Sequence, residues 1–121
     1  LDTQVIVLAY LGEELPKKVR SLLLDPEIDR LVSAISLVEI AIKNTSGRIE
    51  ITTGDLNKAI KDLALSVIPF TARHALKMFS LPPHHRDPFD RMIIATAIAE
   101  NLTLLGADRQ FGRYAGLKSV W

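Results

Sequence analysis

A chain of 121 residues suits one compact domain with a single core. Its 48% hydrophobic and 24% charged residues give the balance of a folded globular protein, excluding a disordered or fibrous chain. Fifteen basic residues against 14 acidic ones leave a net charge of +1, so no overall positive field draws in polyanions, and any such contact must be local.

In chain order, Leu1 to Thr3 reads as the end of a strand whose earlier part is truncated. A helix follows from about Gln4 to Leu11, stopped by Gly12. Pro16 opens a second helix at its first position, with Val19, Leu22 and Leu23 on one face, and Asp25-Pro26 ends it. Arg30 to Ile35 is a buried-strand pattern, and Ser36 is the expected N-cap of a helix running to about Thr45 and stopped at Gly47. Asp55 is expected to cap an amphipathic helix through about Leu65. A third strand covers Ser66 to Phe70, and Thr71 then starts a helix to Phe79. After the loop Leu81 to Arg86, Asp87-Pro88 is a strong helix start, the helix ends near Glu100 and Asn101, and Leu102 to Leu105 is a strand. Strands alternating with helices predict one α/β domain over residues 1–121, with a mostly parallel sheet covered on both faces.

The absence of cysteine removes disulfides, thiolate metal sites and cysteine nucleophiles, and fits a reducing cytoplasm. The longest apolar stretch, Met92 to Ala99, falls well short of the roughly 20 residues of a membrane span. No signal peptide is apparent, so the expectation is a cytoplasmic protein without a membrane partner.

Ligands of open parallel sheets bind beyond the carboxyl ends of the strands. Asp2 closes the first strand, Glu39 lies one turn into the helix after the second, Asp90 opens the helix begun at Pro88, and Asp108 follows the last strand. Carboxylates gathered in one pocket raise one another's pKa unless a cation neutralises them, and magnesium or manganese is the natural choice for hard oxygen donors. Such an ion activates water and stabilises the leaving oxygen of a phosphodiester.

Each acid also has a structural reading. Glu39 shares a polar stripe with Ser36, Lys43 and Ser46, which allows a solvent-facing pair with Lys43 at i+4. Asp90 sits on the face of Ile93, Ile94 and Ala97, where an inward acid needs a partner, although a first-turn acid also suits the helix dipole. Asp87 is an N-cap, and Asp2 and Asp108 can be turn and loop acids. Thr3 and Ser36 can support the site or cap helices, with capping favoured for Ser36. His74, His84 and His85 lack the i, i+4 spacing of a zinc pair, and adjacent histidines in a Pro-rich loop are expected at the surface without a metal role. Arg86, Arg91 and Arg109 bracket the acids and can contact phosphate or form a solvated rim. No Gly-x-x-x-x-Gly-Lys phosphate loop is present.

The segments Leu1-Asp2-Thr3, Ser36 to Lys43, His85-Arg86-Asp87-Pro88-Phe89-Asp90-Arg91 and Leu104 to Asp108 together resemble the PIN-domain family in order and spacing, over essentially the whole chain. The His85 to Arg91 block followed by an apolar helix is the most specific of them, and is similar to the VapC-type toxins of toxin–antitoxin pairs. The resemblance implies a three-layer α/β/α sandwich, Asp2, Glu39, Asp90 and Asp108 as the acidic site with Thr3 nearby, and RNA hydrolysis dependent on Mg2+ or Mn2+. It also implies a homodimer and a cognate antitoxin that blocks the pocket. The sequence departs from the family at Gly106, where a Thr or Ser often stands two residues before the final acid. Two rival readings are a catalytically inactive PIN-like protein- or RNA-binding module and a phosphatase using Asp2. The phosphatase wants a second Asp two residues on, where this chain has Gln4.

Overall fold

The computed structural model describes residues 1–121. Six α-helices and four short strands alternate: α1 Thr3–Tyr10, α2 Lys17–Leu24, β1 Leu31–Ser33, α3 Ala34–Thr45, α4 Thr53–Asp62, β2 Ser66–Ile68, α5 Ala72–Lys77, α6 Pro88–Ala99, β3 Thr103–Leu105 and β4 Lys118–Val120. A 3-10 turn, Met78–Ser80, follows α5, and a second, Arg109–Arg113, joins β3 to β4.

Strand β1 pairs in parallel with β2, and β3 in parallel with β4. Leu1 and Asp2 link the two pairs: the Leu1 amine donates to the Leu31 carbonyl at 2.8 Å, and the Asp2 N–H to the Leu105 carbonyl at 2.8 Å. The spatial order is therefore β2, β1, residues 1–2, β3, β4. The carboxyl ends of β1 and β3 open beside Asp2. Between the two pairs lies an apolar groove of about 490 Å³ lined by Leu1, Leu31, Ile93, Leu104 and Leu105 among others. None of the four predicted acids lines that groove.

Alternation along β3 sends neighbouring side chains to opposite faces. Leu104 packs with Ile93, Ile94 and Phe111, and Leu105 with Val5, Val19 and Leu23. Helix α1 uses two adjacent residues in the same way, with Val5 joining the cluster under α2 and Ile6 packing on Val32, Ile40, Ile51 and Leu65. Each such fully buried aliphatic side chain contributes about 1.5 to 3 kcal/mol. The helices cover both faces of the sheet, as the alternating pattern predicts.

The local starts differ from expectation in instructive ways. The N-cap of α3 is Ser33, whose hydroxyl accepts from the Ile35 N–H, so Ser36 is already inside the helix. Thr52, not Asp55, caps α4, and Asp55 is the reciprocal member of a capping box. Pro16 precedes the first helical residue of α2 as its N-cap. Asp87 caps α6 as expected, accepting from the Phe89 N–H at 2.8 Å, and Asn101 leaves that helix at φ +54°. Strand β4 has no counterpart among the expected elements, because three residues with two exposed polar side chains carry almost no periodic signal.

Candidate active site

Asp2 is the N-cap of α1 and its Oδ1 accepts from the Thr3 N–H at 2.8 Å. The Thr3 hydroxyl donates to Ser36 Oγ at 3.0 Å, and both residues are buried. That bond ties the first turn of α1 to the first turn of α3. Ser36 and Glu39 are three apart and share a helix face, so the same bond brings Glu39 towards Asp2. Thr3 and Ser36 act here as the joint between two acid-bearing helices, and the expected capping role for Ser36 gives way to this one.

Glu39 is 5% exposed. Its Oε2 pairs with Lys43 Nζ at 2.8 Å, which is the i+4 pair expected from the sequence, yet the carboxylate faces inward and not solvent. Its Oε1 is buried with no hydrogen-bond partner. An unmet buried acceptor costs about 1 to 3 kcal/mol, and more when charged.

Asp90 stands in the first turn of α6, where the helix dipole favours a carboxylate. Burial nevertheless pushes its pKa up to about 6, helped by the negative charges of Asp87, Asp2 and Glu39. Asp2 is raised as well, chiefly by burial against the Thr3 N–H bond, with Glu39 and Asp108 adding repulsion. Asp108 ends up below the ordinary carboxylate value: burial pushes upward, but hydrogen bonds from His85 and from the Gln110 N–H outweigh it. Asp2 thus senses the charges of Glu39 and Asp108, and Asp90 those of Asp2 and Glu39.

His85 is the residue that sequence reasoning missed. It is 9% exposed, with Nε2 2.6 Å from Asp108 Oδ2 and Nδ1 2.7 Å from the Tyr114 hydroxyl. Its ring stacks on Phe111 and Tyr114 at centroid distances of 5.7 and 5.5 Å. One donor atom each from His85, Asp90 and Asp108 lie within 4.8 Å of one another. The expectation of a surface histidine fails because the segment after β3 folds over it, supplying Asp108, Phe111 and Tyr114 together. His84 instead lies edge-on to Tyr114.

The arginines divide. Arg86 and Arg109 are exposed beside the acids. Arg91 donates to the Pro82 carbonyl at 2.9 Å and to that of Leu81 at 3.3 Å, clamping the loop that carries His85. Gly106 lies against Asp2 and Phe111. A Cβ there would meet Phe111 Cε2 at 2.6 Å and Asp2 Cβ at 3.0 Å, so Phe111 and Asp2 fill the space that a hydroxyl-bearing residue needs.

The family model of the PIN domain matches residues 1–117 of this chain. This chain belongs to the PIN-domain family. PIN domains are nucleases that use divalent metals. Among solved structures, the fold is similar to VapBC2 from Rickettsia felis bound to a DNA fragment from their promoter. The TM-score is 0.73 at 21% identity, over 98% of this chain and 93% of that one. No curated protein sequence matches this one. No helix of this PIN domain is long and apolar enough to cross a membrane.

Proposed function

We propose that this PIN domain is a metal-dependent endoribonuclease and the toxin of a VapC-type toxin–antitoxin pair. The observation that carries the reading is Glu39: a nearly buried carboxylate with an unpartnered oxygen, set among the charges of Asp2, Asp90 and Asp108. Such a donor set fits a hard divalent cation, because an added positive charge meets the orphan oxygen and offsets both the burial and the mutual repulsion that raise Asp2 and Asp90. Asp2, Glu39, Asp90 and Asp108 hold Mg2+ or Mn2+ on this reading. When bound, the ion supplies an activated water and stabilises the leaving oxygen of a phosphodiester.

The chain's own groups do the rest. The Thr3–Ser36 bond fixes Asp2 against Glu39, the Asp87 cap fixes the turn that presents Asp90, and the exposed Arg86 and Arg109 are placed to hold the phosphates flanking the scissile bond. Arg91 shapes the loop behind them. With a net charge of only +1, this local set supplies the attraction for RNA. Homodimerisation and inhibition by an antitoxin belong to the same proposal. The exposed Leu76 and Phe79 at the end of α5, and Val38 and Ile42 on α3, offer apolar surface for such contacts. The likeness in fold to the VapBC2 structure of R. felis supports the antitoxin partner.

The test is cleavage of a labelled RNA panel by antitoxin-free protein in Mg2+, Mn2+ or chelator, beside Asp90→Asn purified identically. We expect metal-dependent cleavage that falls at least about 10³-fold in the variant. A folded wild type inert with either metal favours the inactive binding module. Equal activity of both proteins marks a contaminating ribonuclease.

A further inference from the structure

His85, Tyr114 and Asp108 form a three-residue chain whose proton directions follow from the partners. The Asp108 carboxylate already accepts from the Gln110 N–H at Oδ1, and as a carboxylate it is an acceptor only. The ring nitrogen facing it, Nε2, therefore carries the proton and donates. In the singly protonated ring Nδ1 is then an acceptor, and the donor it meets is the Tyr114 hydroxyl. Tyr114 is 3% exposed, so no water competes freely for that hydroxyl.

The Asp108 side chain, by contrast, keeps about a third of its surface open, at 35%. Its orientation depends on the bonds it accepts, one from the Gln110 N–H at 2.8 Å to Oδ1 and one from His85 to Oδ2. We propose that His85 and Tyr114 are positioning residues for the acidic site, with the buried Tyr114 hydroxyl holding the ring in place through Nδ1 and His85 fixing the carboxylate of Asp108 towards Asp90. The inference rests on the metal-binding reading above and deepens it.

The consequence is chemical. Without the tyrosine hydroxyl Nδ1 loses its donor, and the ring is free to turn its Nε2–H away from the carboxylate. Asp108 then turns away, and the site loses a preorganised oxygen donor. Hydrogen-bond partners behind ligating groups typically govern metal affinity by 10- to 100-fold.

Mn2+ binding to RNA-free protein, read by the electron-paramagnetic signal of free Mn2+, tests this in wild type, Tyr114→Phe, His85→Leu and His85→Gln. The ring tautomer of His85 is read in parallel by nitrogen NMR on metal-free wild type and on Tyr114→Phe. Tyr114→Phe keeps the stacked ring and should weaken Mn2+ binding about 10-fold. His85→Leu should weaken it by up to about 100-fold, and His85→Gln, whose amide can donate from a similar place, should recover most of the loss. Wild type should show the proton on Nε2 and a hydrogen-bonded Nδ1, and Tyr114→Phe should lose that bond at Nδ1. Unchanged Mn2+ affinity in folded Tyr114→Phe, or a wild-type proton on Nδ1, overturns the positioning role. Absence of saturable Mn2+ binding by wild type overturns the metal reading itself, and the proposal with it, while the tautomer spectrum still shows whether the chain of bonds exists.

Discussion

The molecule contains two buried histidines wired alike to carboxylates. His74 accepts from the Thr71 N–H at Nδ1 and faces Glu100 with Nε2 at 2.7 Å, and His85 meets the Tyr114 hydroxyl at Nδ1 and faces Asp108 with Nε2 at 2.6 Å. Around Glu100 the charge is completed, since Arg73 joins the same carboxylate and the two hydrogen bonds hold its pKa below the usual range. That pair fastens α5 to the end of α6. Around Asp108 the neighbours are further acids, two of them raised, and Glu39 has an oxygen with nothing to accept. One unit closes a structural joint when a cation of the chain completes it. Set among uncompensated carboxylates, the same unit leaves a demand that an external cation would meet.

The contrast breaks most sharply on adding metal. At about 100 times its dissociation constant, Mn2+ should stabilise the wild type by about 2.7 kcal/mol, read as a rise in Tm. Glu39→Gln should lose most of that rise, while Glu100→Gln should keep it. Equal rises in wild type and Glu39→Gln would show that the orphan oxygen is not a metal donor.

Next in size is the structural pair itself. His74→Leu leaves the Thr71 N–H without its acceptor and should cost about 2 kcal/mol in denaturant unfolding. Mn2+ affinity should be unchanged, and a large loss of it would mean that the two regions are coupled.

The smallest expected effect is one of pH. The folded pKa of Asp90, about 6, lies above the ordinary value of 3.8, so its protonation stabilises the fold at low pH and that contribution disappears as pH rises through about 6. The Leu1 amine, lowered to about 6 by burial, acts between its folded and ordinary values too, so the informative quantity is the difference between wild type and Asp90→Asn. Without metal, Asp90→Asn should gain on wild type between about pH 4 and about pH 6 by about 1 kcal/mol, a figure reduced for the solvent that Asp90 still meets. A difference that does not vary with pH would show that Asp90 is not strained by its neighbours.

These contrasts also mark what is legible in the sequence. The acids at Asp2 and Asp108 follow from where strands end, and Asp90 from an N-cap and proline that place it in the first turn of α6. Those signals are local. Ser33 and Ser36 are easily confused because both precede apolar helical spacing, and only the contact of Ser36 with Thr3, 33 residues away, separates their roles. Glu39 presents a polar stripe consistent with solvent, and its burial depends on the packing of α1 and α3. His85 is hidden most completely: its partners arrive 23 and 29 residues later, after a helix and a strand, and no periodicity connects them. Two histidines in succession suggest a surface loop, whereas the acid and two aromatics of Asp108 to Tyr114 are the clue available.

Gly106 carries a consequence for how such a site can change over time. Because Phe111 and Asp2 already occupy the space where a side chain would begin, a serine or threonine at this position cannot be introduced first without forcing one of them aside. A side chain at 106 must displace Phe111 or Asp2, and displacing or shrinking Phe111 disturbs one of the rings stacked on His85. Positions 106 and 111 are therefore coupled: a change at either is felt at His85, so the glycine and the phenylalanine are best exchanged together.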